Sequence, residues 1–121
     1  MKKLTLLTVT MTMIVSLGFG QAKKAILTAT IKTPTVQCEE CKKRIEDYLK
    51  REQGVQKAVA DYRKKTVKVT YYTNRTNIEN IKTAIANAGF DADDVTANEE
   101  AYKRLPTCCK RTEDGGGDGH H

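Results

Sequence analysis

Tryptophan is absent from this 121-residue chain, phenylalanine occurs twice, and histidine occurs only as the terminal pair His120 and His121. Each shortage removes a class of function. With two Phe and five Tyr there is little aromatic surface for stacking bases. The basic residues are scattered over Lys42-Lys43-Arg44, Arg63-Lys64-Lys65 and Lys110-Arg111 among acidic neighbours. A nucleic-acid footprint concentrates its charge in a stripe, so no nucleic-acid partner is expected. No Ser/His/Asp set and no glycine-rich phosphate loop can be found, and the carboxylates fall on predicted helix faces and in turns, so no enzyme is expected. The one long apolar run, residues 4–19, is too short and too rich in Thr for a membrane span of about 20 apolar residues.

That run is informative in another way. Lys2 and Lys3 precede it and the small residues Gly18, Gly20 and Ala22 follow, the layout of a secretory signal peptide spanning residues 1–22. Cleavage after Gly20 or Ala22 fits. Loss of Lys2 and Lys3 lowers the formal charge from +6 to +4, a mild excess read as a solvated surface. The mature chain is expected in the periplasm or outside the cell, as one small monomeric domain.

Periodicity then divides the remainder. Residues 25–33 are rich in β-branched side chains and stop at Pro34, a first strand. Cys41, Ile45, Tyr48 and Leu49 recur at the spacing of one helical face, with Gly54 expected to end that helix. Strands follow over residues 55–62 and 66–72, placing Ala58, Ala60 and Tyr62, then Val67, Val69 and Tyr71, on single faces. Arg63-Lys64-Lys65 joins them. Thr76-Asn77-Ile78-Glu79 reads as a capping box opening a second helix through Ile81, Ile85 and Ala88 to Gly89. Asn74-Arg75-Thr76, a glycosylation sequon, is better read as the turn before that helix. A last strand is expected over residues 91–97.

The order β-α-β-β-α-β implies an α+β, ferredoxin-like two-layer sandwich: an antiparallel four-stranded sheet with two helices on one face. The domain would occupy residues 25–97. Residues 98–112 form an extension with a short helix and a Cys-Cys pair, and residues 113–121 a flexible Gly-rich tail whose His120 and His121 are incidental.

Cys38-Glu39-Glu40-Cys41 falls where the first strand gives way to the first helix. Two thiols at this spacing either clamp one soft metal ion or close as a disulfide. Position favours metal, because a layered domain with its own core needs no staple. A thiol–disulfide oxidoreductase or redox-sensing module is the alternative from the same cysteines. Glu39 and Glu40 disfavour a nearby thiolate, while the helix N-terminus favours one.

Val36-Gln37-Cys38-Glu39-Glu40-Cys41, the helix through Ile45 and Leu49, Gly54-Val55, Lys65-Thr66-Val67-Lys68-Val69 and Ala88-Gly89-Phe90 together resemble the heavy-metal-associated domain. That family includes soft-metal chaperones, modules of metal-exporting ATPases and a periplasmic mercury-binding protein. The resemblance implies that Cys38 and Cys41 bind a soft ion, Cu(I), Hg(II), Zn(II) or Cd(II), and pass it by thiolate exchange to a membrane metal transporter or another carrier. It puts Val36 where the family has a Met under the loop and Phe90 where it has an aromatic or Lys near the ligands. Thr35-Val36-Gln37 departs from the family's Gly-Met-Thr. The resemblance leaves Cys108-Cys109 unexplained. Adjacent cysteines rarely bond to each other, so three roles stay open: added donors beside Cys38 and Cys41, a separate exchange point, or a disulfide to the first pair.

Overall fold

The computed structural model describes residues 25–116, so the expected signal peptide and His120 and His121 lie outside the described residues. Three strands form one antiparallel sheet: β1 (Ile26–Lys32), β2 (Val55–Asp61) and β3 (Thr66–Tyr72), in the order β1-β3-β2. Central β3 pairs with β1 from Ile26↔Tyr72 to Lys32↔Thr66, and with β2 up to Asp61↔Thr66. Alternation along β3 sends Val67, Val69 and Tyr71 into the core. Helix α1 (Glu39–Lys50) buries Cys41, Ile45 and Leu49 against them, and α2 (Ile78–Asn87) buries Ile81, Ala84, Ile85 and Ala86.

The hairpin between β2 and β3 is built as its residues dictate. Asp61 Oδ1 accepts from the Arg63 and Lys64 amides, both at 3.0 Å, and Lys65 takes φ +55°. Two boundaries differ from the sequence reading. Asn77, not Thr76, caps α2, its Oδ1 accepting from Asn80 N at 2.8 Å. Thr76 is buried against Gly54 instead. Gly54 does not end α1, whose C-cap is Arg51. It makes the later turn into β2 at φ +89°, where a Cβ would lie 2.7 Å from Thr76 Cγ2.

The expected fourth strand is the main correction: residues 91–97 do not join the sheet. Asp91, Asp93 and Asp94 are poor strand formers whose side chains compete for backbone N–H groups. Asp91 Oδ1 accepts from Ala97 N at 2.9 Å, and Asp93, at φ +51°, turns the chain so that Ala92 and Val95 bridge each other. Beside β1 only one residue pairs: Asp93 N donates to Lys32 O and Lys32 N to Asp93 Oδ1, both 2.8 Å. Lys82 holds the turn to α2 through Asp94 at 3.1 Å and Asp93 at 3.7 Å.

The extension folds back onto the domain. Helix α3 (Glu99–Lys103) is capped by Asn98, which accepts from Ala101 N at 2.9 Å. Ala101, Tyr102 and Leu105 are buried, and Leu105 lies over Gly89, where a Cβ would meet Leu105 and Ala101 O at 3.1 Å. Short 3₁₀ turns follow at Thr107–Cys109 and Thr112–Asp114. The second of these turns reaches two residues into the stretch read as tail.

Candidate metal centre

Four sulfurs converge at one end of the sandwich: the Sγ atoms of Cys38, Cys41, Cys108 and Cys109 all lie within 4.8 Å of one another. They come from three pieces of chain. Cys38 is the N-cap of α1, with extended backbone and no side-chain capping bond, so its thiol is free to face the site. Cys41 follows in the first turn, at the head of the buried Cys41, Ile45, Leu49 stripe. Cys108 and Cys109 arrive on the 3₁₀ turn of the extension.

Cys41 and Cys109 are fully buried and joined as a disulfide, with Cα atoms 5.6 Å apart across 68 residues of sequence. Cys38 and Cys108 are free and half-buried. Cys38 Sγ is 3.1 Å from Cys41 Sγ and 3.8 Å from Cys109 Sγ, while Cys108 Sγ is 4.0 Å from Cys109 Sγ. The C-x-x-C pair is therefore not the disulfide, and of the three roles open for the second pair, a separate exchange point is the one this geometry disfavours.

The surroundings hold this cluster in place. Val36 and Phe90 are fully buried in the same core cluster as Cys41 and Cys109. Lys65 Nζ donates to Val36 O at 3.0 Å, and Asp91 N donates to Thr35 Oγ1 at 3.4 Å, tying the cysteine loop to the hairpin and to the end of α2. Gln37 Nε2 donates to Lys110 O at 2.7 Å, strapping that loop to the extension. The extension is braced in turn by the Tyr102 hydroxyl, which donates to Asp114 Oδ2 at 2.5 Å and accepts from Arg111 N at 2.7 Å. The Arg111 guanidinium sits 4.4 Å over the Tyr102 ring.

Burial pushes the Cys108 thiol up to about 11, aided by the contact with Cys38 and the charges of Cys38 and Glu40 and opposed by Arg44. Glu39 and Glu40 are exposed on the first turn, with Glu40 3.9 Å from Arg44. Here they serve the helix start and lie outside the sulfur cluster.

Residues 30–91, half of the chain, match the family described as heavy-metal-associated domain. The chain belongs to that family. A copper-exporting P-type ATPase of Staphylococcus epidermidis is 31% identical over 89 residues, 74% of this chain but 11% of the ATPase, so the chain spans about a tenth of that relative's length. Among solved structures, oxidized MerP from Ralstonia metallidurans superposes with TM-score 0.55 at 23% identity, covering 57% of this chain and 96% of that one. A copper-binding domain from a P-type ATPase gives 0.53 at 27% identity, covering 55% and 89%. These likenesses establish the α+β heavy-metal-associated fold. As a heavy-metal-associated domain with four clustered cysteines the chain is a soft-metal-binding module and not an enzyme.

The sequence singled out all four cysteines, and the structure brings all four together. It missed the Gln37–Lys110 strap and the Tyr102, Arg111, Asp114 brace. Asn98 before Glu99-Glu100 is a legible helix start; the strap carries no sequence signal.

Proposed function

We propose that this protein is an exported soft-metal carrier that captures an ion through Cys38 and Cys41 and passes it by thiolate exchange to a membrane transporter or another carrier. The observation that carries this reading is the placement of the two thiols. Cys38 sits in a half-buried loop at a helix N-terminus and Cys41 is anchored in the core, so one sulfur holds the ion while the other is accessible to an incoming thiol. Soft polarizable sulfur selects Cu(I), Hg(II), Zn(II) or Cd(II) over hard cations. The relatives named as copper-exporting ATPases support a transporter as the partner, and the signal-like run after Lys2 and Lys3 supports export as the route.

The test is titration of the reduced full chain with each ion beside a Cys38→Ser, Cys41→Ser variant. Equal affinities would sink the reading. A second reading, a thiol–disulfide oxidoreductase, draws on the Cys41–Cys109 disulfide with Cys38 at its edge. It requires multiple turnovers with a disulfide substrate, and stoichiometric reaction without turnover removes it.

A further inference from the structure

We propose that the extension completes a closed four-sulfur site, in which Cys108 and Cys109 join Cys38 and Cys41 around one divalent ion of tetrahedral preference, such as Zn(II) or Cd(II). This rests on the soft-metal reading above and specifies its cargo. A tetrahedral zinc site with Zn–S bonds of about 2.3 Å has sulfur–sulfur edges of about 3.8 Å. The Cys38–Cys109 edge is 3.8 Å and the Cys108–Cys109 edge 4.0 Å, so two edges already match; the 3.1 Å Cys38–Cys41 edge needs a small opening, and the bonded Cys41–Cys109 pair must first be reduced and part. A two-coordinate ion would use one such pair and leave the other two sulfurs packed against it without a role.

The extension is built to hold this position. Leu105 seats over Gly89, Gln37 grips the Lys110 carbonyl, and the Tyr102 hydroxyl joins Arg111 N to Asp114. Cys109 is fully buried as a result. On loading, up to four S–H protons leave as four sulfur–metal bonds form, with no change of oxidation state. The Cys41–Cys109 disulfide is the oxidised counterpart, with two of the four donors withdrawn. Opening it takes two thiols of an external reductant, which become one disulfide as Cys41 and Cys109 each gain a proton and an electron.

The experiment is alkylation of the reduced full chain, loaded with one equivalent of Zn(II), read by mass spectrometry, with affinity measured against a competing chelator. All four cysteines should be protected in the loaded wild type. A Cys108→Ser, Cys109→Ser variant should bind Zn(II) at least about 100-fold more weakly, since loss of outer-shell partners alone costs 10–100-fold. Rapid alkylation of Cys108 and Cys109 in loaded wild type overturns the four-sulfur site, a readout that does not depend on any variant folding. If binding then still vanishes in the Cys38→Ser, Cys41→Ser variant, the soft-metal reading stands without it. If that variant binds like wild type, both readings fall.

Discussion

Leu105→Ala isolates the docking of the extension. Leu105 is 5% exposed and packs over Gly89, so truncation removes three buried carbons from the contact that seats α3. At about 0.8 kcal/mol per buried carbon the transfer loss is about 2.4 kcal/mol. Leucine truncations in cores span about 2–5 kcal/mol, and this site, at the edge of the domain, can collapse, which places it at about 2–3 kcal/mol. If that energy is lost from arm docking, the population with the arm open rises about 30- to 150-fold, tenfold for each 1.4 kcal/mol. Cys109, fully buried, reports on that opening. In reduced, metal-free protein its iodoacetamide labelling rate should rise by the same factor, while half-buried Cys38 should change little. An unchanged Cys109 rate would refute the picture of an arm seated by Leu105 over the cysteine loop.

Other substitutions probe the remaining links. Gln37→Ala removes the 2.7 Å bond to the Lys110 carbonyl and should speed Zn(II) transfer to a competing chelator, measured by stopped flow, without altering the fold seen by circular dichroism. Gly54→Ala places a Cβ 2.7 Å from Thr76 Cγ2 at φ +89° and should cost about 1–3 kcal/mol in urea denaturation. The Tyr102 hydroxyl, with Arg111, holds the Asp114 carboxyl below its usual 3.8. A carboxyl with a lowered folded-state pKa stabilises the fold above its unfolded value and loses that contribution as pH falls through the folded one. Exchange of the Arg111 and Gly115 amides should therefore show excess opening as pH drops below 3.8, and Asp114→Asn should abolish that dependence.

The sequence by itself determined the parts governed by local periodicity and residue chemistry. Val67, Val69 and Tyr71 alternate into the core, Cys41, Ile45 and Leu49 share a helical face, and the C-x-x-C pair lies at the start of that helix. Each depends on neighbours within a turn or a strand, so each is written in spacing. Tertiary structure decided the rest. The segment after Phe90 has the position of a fourth strand, but its aspartates take backbone N–H groups and the β1 edge offers it one pairing residue. Which cysteines meet was also beyond spacing: Cys41 and Cys109 are 68 residues apart, and the seating of Leu105, the grip of Gln37 on Lys110 and the Tyr102 brace bring the second pair to the first. Long-range contacts between ordinary side chains have no period, so the sequence showed two cysteine pairs and left open whether they meet.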